Sequence, residues 1–208
     1  MRFPVTVHRP RLGPREFTVI RPARPPEHAL LVEDDRFLNA YVDRPAAGLI
    51  GGLWGLAATS PRALVHVPLR RAGDSGDAGA RRLDLVLLHH SLQFAPSRWK
   101  ELRGRLGAGH RRTVTVCTDR PEIDWEALHH AENRDLFHQH VHAETLFVTG
   151  SARAFRETAG HFHDVAAHGP GHTADNRHYC AQLGHGDDSA RDIHIEYSDA
   201  WAGEAAPR

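Results

Sequence analysis

A run of alternating histidines followed by a glutamate is the part of the sequence best suited to chemistry. His138, His140 and His142 are separated by single residues, and Glu144 follows two positions later. In a β-strand, alternate residues project to the same face, so the three imidazoles would point into one space. Imidazole and carboxylate groups are the ligands that suit Zn, Fe, Mn or Ni. The pattern therefore predicts a divalent metal site on a strand, because a helix would spread these side chains around its axis.

The same segment resembles the first sequence motif of the cupin superfamily. The core of that motif is His-x-His-x3-Glu, which residues 138–144 match, and Gly150 supplies the following glycine one residue early. The second cupin motif combines a proline, a glycine and His-x3-Asn, and it is similar to Pro170, Gly171, His172 and Asn176. The resemblance covers roughly residues 115–200 and implies a β-barrel.

The cupin resemblance also implies a ligand set and a class of reaction. The implied metal ligands are His138, His140, Glu144 and His172. A metal with open coordination positions would polarise a carbonyl in an isomerase or epimerase, or activate O2 in a dioxygenase. His142 and Tyr179 are then the predicted acid and base. The resulting hypothesis is a metal-dependent enzyme that acts on a small organic molecule, in a bacterial biosynthetic pathway.

Other interpretations of the histidines stay open on the sequence. The chain has 18 histidines, so the triplet is also explained as a surface cluster without a ligand role. A different metal site would use His161, His163 and His168. A non-catalytic protein would use the histidine-rich half to buffer or sense metal or pH.

A metal-independent α/β enzyme is a further alternative. Its sheet would contain strands at 83–88, 113–117 and 145–148, with a helix over 151–168. A ligand would then bind at the carboxyl ends of the strands. The residues expected there are His89, His90, Thr118, Asp119, Gly150 and Ser151.

The elements that must position these residues are mostly strands. Alternating or β-branched residues predict them at 3–8, 16–21, 30–32, 37–42, 63–69, 83–88, 113–117, 145–148 and 193–197. Helices are predicted at 46–60 and 96–106, and 151–168 fits either one helix or two strands, at 152–156 and 161–166. The predicted fold class is α+β, with a mixed α/β region over 1–112 and a β-rich, cupin-like barrel over 113–208. The alternative is one continuous three-layer α/β domain.

Composition narrows the expected partners and location. The 208 residues include 26 basic and 26 acidic ones. This balance argues against a protein whose main role is to cover nucleic acid or an anionic membrane surface. Lys100 is the only lysine, and such an excess of arginine is typical of a GC-rich genome. No signal peptide or membrane-length apolar run is recognised, and Cys117 and Cys180 form no CxxC pair. We therefore expect a cytoplasmic protein with a small-molecule substrate and with no nucleic-acid or membrane partner, and a homodimer is compatible with the sequence.

Overall fold

Two β-sheets and two long helices share one hydrophobic core. The computed structural model of the protein describes residues 1–34, 37–70, 80–117, 124, 126, 130, 132–175, 177–183 and 191–201. The predicted residues Thr118, Asp119 and Asn176 therefore lie outside the described part of the chain.

The described chain alternates short strands with three α-helices. The strands are β1 (Arg2–His8), β2 (Arg11–Leu12), β3 (Arg15–Glu16), β4 (Thr18–Pro22), β5 (Ala29–Glu33), β6 (Leu38–Val42), β7 (Ala63–Val67), β8 (Arg81–Arg82), β9 (Asp84–His89), β10 (His110–Thr115), β11 (His138–His142), β12 (Thr145–Gly150), β13 (Cys180–Leu183) and β14 (Ile193–Tyr197). The helices are α1 (Arg44–Thr59), α2 (Trp99–Arg103) and α3 (Ala152–Ala174). Two 3-10 turns, His90–Leu92 and Pro96–Arg98, precede α2.

Both large sheets are open and mixed. The seven-stranded sheet has the order β10-β1-β4-β7-β9-β12-β11, and the five-stranded sheet has the order β13-β14-β6-β5-β8. The pairs β4/β7, β9/β12 and β6/β14 are parallel. The α+β class is thus confirmed, but the described strands do not close into the predicted cupin barrel. Strands from both sides of the predicted boundary at 112/113 lie in the seven-stranded sheet.

Helix α1 confirms the helix predicted over 46–60. Asp43 caps it, since its carboxylate accepts a hydrogen bond from the backbone N–H of Ala46 at 2.7 Å. Glycine lets the helix lie close to its neighbours: a Cβ at Gly55 would stand only 2.7 Å from Cγ1 of Val116. Buried residues follow one another along most of α1, so the helix lies inside the shared core.

Residues 152–174 form the single helix α3, and the alternative of two strands is wrong. Ser151 caps the helix by accepting a hydrogen bond from the N–H of Ala154 at 3.0 Å. The buried Trp54 of α1 donates a hydrogen bond from Nε1 to Oγ1 of Thr158 at 2.7 Å, which fixes the two helices against each other. Because α3 contains Pro170, Gly171 and His172, these residues lie on a helix and not on the barrel strands that the cupin resemblance implies.

Both faces of the seven-stranded sheet are buried, and they pack against different elements. One face packs on α1, α3 and the five-stranded sheet. The opposite face packs on the 3-10 turns, α2 and the β2–β3 hairpin, with Trp99 and Leu102 fully buried there. The predicted helix over 96–106 is thus mostly turn, with only one turn of α-helix at Trp99–Arg103.

Among the described residues, no helix is both long enough and apolar enough to cross a membrane.

Candidate functional site

The histidine triplet lies on a strand at the edge of the seven-stranded sheet. Strand β11 pairs antiparallel with β12, with His138 opposite Thr149 and His140 opposite Phe147. The three side chains share one face, as predicted, and the rings of His140 and His142 lie 6.2 Å apart, centroid to centroid. His138 and His140 are exposed to solvent.

The other two predicted ligands are held elsewhere. Ala143 and Glu144 form the tight turn between β11 and β12, both with left-handed backbone (φ 46° and 58°), and Arg70 donates a hydrogen bond to the Glu144 carboxylate. His172 lies near the end of α3, where its ring is 4.8 Å from that of Tyr179. Within the described residues, no three His, Cys, Asp or Glu side chains are grouped as metal ligands. The structure therefore does not bring the four predicted ligands together.

The predicted acid and base also lie beside different sheets. His142 ends β11 of the seven-stranded sheet. Tyr179 directly precedes β13 of the five-stranded sheet and packs on His168 and His172 of α3.

The carboxyl ends of β9 and β12 lie side by side, as the α/β alternative predicts. Gly150 is the parallel partner of His89, whose Nδ1 lies 2.8 Å from Oγ of Ser91. The backbone N–H of Ser91 donates to the same nitrogen at 3.2 Å, so His89 caps the following 3-10 turn. Burial and the adjacent His90 lower the pKa of His89. This is a local capping arrangement on an open surface.

A cavity of about 960 Å³ on the second face of the sheet gathers a different set of side chains. In the described part of the chain, four arginines line it, namely Arg21, Arg24, Arg70 and Arg103. His66 and Asp84 lie at its floor and are 2% and 5% exposed. Prolines and one leucine form its apolar wall, namely Pro25, Pro26, Pro68 and Leu106.

Strand alternation positions the floor of this cavity. In β7, Val65 and Val67 face the central core, so Leu64 and His66 face the opposite side. The parallel register pairs Ile20 with Val65, and continuing it by one residue brings Arg21 alongside His66. These two residues thus share one face of two neighbouring strands.

Asp84 joins them from the adjacent strand β9. His66 is paired with Val86, so Asp84, two residues before Val86, is the diagonal neighbour of His66 on the same face. Arg103 reaches the cavity from the end of α2, and Arg70 follows β7. The cavity is therefore built on three central strands and closed by the segment around α2.

The Asp84 carboxylate is the hub of the polar contacts. Its Oδ1 accepts hydrogen bonds from the backbone N–H groups of Leu69 at 3.0 Å and Arg70 at 3.2 Å. Its Oδ2 accepts from Nε of Arg70 and Nη1 of Arg103, both at 3.2 Å. Burial alone would raise the pKa of Asp84, but the hydrogen bond from the Arg70 N–H and the charge of the Arg70 guanidinium outweigh burial and hold it well below its usual range. Asp84 is therefore an ionised anchor for two arginines.

His66 is buried without a hydrogen-bond partner among the described residues. Neither ring nitrogen has one, and Nε2 lies 3.9 Å from Oδ2 of Asp84, beyond hydrogen-bond distance. The ring packs edge-on against Trp99 at 4.9 Å, and the Trp99 Nε1 is likewise unpartnered within the described chain. Burial lowers the pKa of His66, with Asp84 opposing this and Arg21 and Arg103 adding to it. The imidazole is therefore neutral at pH 7.

Arg21 is a half-buried cation beside this imidazole. Its guanidinium makes no hydrogen bond or ion pair with any described residue, in contrast to Arg70 and Arg103. Burial lowers the pKa of Arg21, Asp84 raises it and Arg103 lowers it further, yet a guanidinium stays charged near neutral pH. An anion that enters the cavity would meet Arg21 and the unbonded nitrogens of His66.

Sequence reasoning missed this site. His66 lies in ALVHV and Asp84 opens DLVLLH, so each is a polar residue in an otherwise apolar, buried strand. A polar residue at such a position is the signal that would have found it, because buried polar groups need partners. The arginines gave no signal, since the chain has arginine throughout.

Comparisons with known proteins give no relative for this arrangement. No protein family model, no curated protein and no solved structure matches the chain.

Proposed function

We propose that the protein binds a small anionic organic molecule in the arginine-lined cavity and that His66 exchanges a proton with it. The observation that carries this proposal is the meeting of Arg21, which has no ion pair in the described chain, with a buried histidine whose ring nitrogens have no hydrogen bond there. Buried polar groups without partners are rare in folded proteins and often belong to functional sites.

The size and lining of the cavity support a small organic ligand. Its volume of about 960 Å³ lies in the range typical of small-molecule sites. Guanidinium groups bind carboxylates and phosphates with paired hydrogen bonds, which gives the anionic end of a ligand a place beside Arg21 and Arg103. The prolines and Leu106 give its carbon body an apolar wall.

The buried imidazole supports proton transfer as the accompanying chemistry. A histidine ring gives a proton to a reacting group and takes one back, and fixed cations nearby stabilise negative charge that develops during the reaction. Asp84 keeps Arg70 and Arg103 in place for this role through its two hydrogen bonds to their side chains. An isomerase-type reaction at an atom next to the anionic group fits these residues.

Calorimetric titration with inorganic phosphate and with citrate tests the binding proposal. We expect both anions to bind the wild type and Arg21→Gln to weaken them about tenfold, because a charged hydrogen bond is lost without disturbing an ion pair of the described chain. Arg103→Gln should also weaken binding. Arg105→Gln is the control, since Arg105 is exposed and pairs with Glu101 outside the cavity. Absence of binding to the wild type, or unchanged binding by both cavity variants, would contradict the proposal.

Other expectations from the sequence stay predictions. They are a bound divalent metal, a homodimer, a cytoplasmic location and a role in biosynthesis.

A further inference from the structure

Among the described residues, the charges in and around the cavity sum to one positive charge while His66 is neutral; this inference rests on the binding site proposed above. Four arginines contribute positive charge to the lining. Asp84 and Glu27 of the lining, together with Glu144 on Arg70, contribute three negative charges. With His66 neutral, the net charge of this set is one positive. A monoanion would neutralise it, whereas a dianion would leave an excess negative charge.

The groups around His66 explain why it is neutral when the cavity holds no anion. Arg21 faces it from β4, Asp84 from β9, and Arg103 and the Trp99 indole from α2. Two cations and burial act against the imidazolium, and among the described residues it is Asp84, at 3.9 Å, that favours it. A bound anion would reverse this balance, since it adds negative charge beside both arginines.

We propose that the cavity binds a dianionic oxyanion, a phosphate monoester or a dicarboxylate, together with one proton that is taken up by His66. The imidazolium then donates a hydrogen bond to the anion, which satisfies a ring nitrogen that has no partner in the described chain. Proton and dianion bind cooperatively, so each raises the affinity for the other.

Two direct consequences distinguish this ligand class from other anions. Affinity for a dianion rises as the pH falls towards the ordinary pKa of histidine, because protonated His66 becomes more abundant. Affinity for a monoanion has little of this dependence, since the cavity reaches neutrality without the proton.

Titration calorimetry with sulfate and methanesulfonate measures the proton directly. Sulfate is a dianion and methanesulfonate a monoanion throughout the neutral range, so neither anion changes its own protonation. Titrations at pH 7.5 in buffers with different heats of ionisation give the number of protons taken up for each anion bound. We expect uptake approaching about one proton with sulfate and close to none with methanesulfonate.

His66→Gln and His110→Gln form the matched pair of variants. His66→Gln should bind sulfate more weakly and without proton uptake, whereas His110→Gln, an exposed residue of β10 outside the cavity lining, should behave as the wild type. If His66→Gln does not fold, NMR of the histidine rings in the wild type gives the same answer, because one buried ring should become protonated on addition of sulfate.

The outcomes separate this inference from the proposed function. Sulfate binding without proton uptake, or uptake that persists in His66→Gln, would overturn the inference and leave the anion site in place. Failure of sulfate, phosphate and citrate to bind at all would overturn both. Displacement of sulfate by phenyl phosphate but not succinate would assign the ligand as a phosphate monoester, and the reverse would assign a dicarboxylate.

Discussion

The segment after residue 128 holds twelve of the eighteen histidines, whereas the described lining of the arginine-rich cavity holds one, His66. On β11 the histidines line an edge strand, and His138 and His140 face solvent. His66 instead lies on a central strand, buried against Trp99 and beside Asp84. The difference teaches that burial and convergence of a few charged groups mark a candidate site better than the abundance of a residue type.

The two regions meet at the turn after the histidine strand, where the backbone N–H of Asp84 donates a hydrogen bond to the carbonyl oxygen of Glu144 at 2.9 Å. Glu144, in the turn after the histidine strand, accepts a hydrogen bond from Arg70 at the edge of the cavity. Glu144, one of the four residues predicted as metal ligands, is thus bonded through its side chain to the cavity lining. Its side-chain contact there is an ion pair with the Arg70 guanidinium.

The largest effect on the free energy of unfolding is expected from replacing Asp84 in the cavity. Asp84→Ala leaves Arg70, Arg103 and two backbone N–H groups without their acceptor, and we expect it to lower the free energy of unfolding by about 3–5 kcal/mol. Urea denaturation followed by circular dichroism measures this. The control Glu101→Ala removes an exposed carboxylate with two arginine partners and should cost about 0.5 kcal/mol. Equal losses in the two variants would show that Asp84 is not a structural hub.

The pH dependence of stability provides the second comparison. The pKa of His66 is lower in the folded chain than its ordinary value of 6.5, so the unfolded chain binds the proton more readily. Its contribution to stability is therefore complete above about pH 6.5 and is lost as the pH falls from there through the lower pKa of the folded chain, with a slope of up to about 1.4 kcal/mol per pH unit. The lowered pKa of Asp84 acts in the same direction in more acid solution.

The measurement is the free energy of unfolding of the wild type and His66→Gln between pH 7.5 and 5. We expect the decline below pH 6.5 to be shallower in His66→Gln, because that variant has no imidazole to protonate at the floor. Parallel curves for the two proteins would contradict a neutral, buried His66.

The smallest effect is expected on the histidine strand. The double variant His138→Ala/His140→Ala removes two exposed side chains and should change the free energy of unfolding by about 0.5 kcal/mol or less. Urea denaturation under the same conditions as for Asp84→Ala measures the change. A loss as large as that of Asp84→Ala would mean that the histidine strand is a structural centre, and the contrast between the regions would fail.

Local patterns in the sequence predicted much of the secondary structure but not the site. The helix around Trp54 and the strands that contain His66 and Phe147 follow from apolar composition and periodicity. The cavity depends on which strand lies beside which: Arg21 meets His66 only because β4 and β7 are parallel neighbours. Such pairing is set by tertiary packing, and composition carries no record of it.

The alternation at 138–142 shows how far a correct local pattern can lead without predicting a site. It correctly predicted a strand with His138, His140 and His142 on one face. It could not show that the strand lies at a sheet edge or that α3 carries His172 away on a helix. A motif gives the direction of side chains within one element, whereas a metal site needs several elements to converge.

The contacts of Asp84 also have a consequence for the order of folding. Its four hydrogen bonds come from residues 14, 15 and 19 positions away along the chain, a short separation for a site built on a seven-stranded sheet. Contacts between residues close in sequence have a low entropic cost of loop closure and form early. We expect the ionic framework of the cavity to form with the β7–β9 pair, before the distant strands β1 and β10 close the far edge of the sheet.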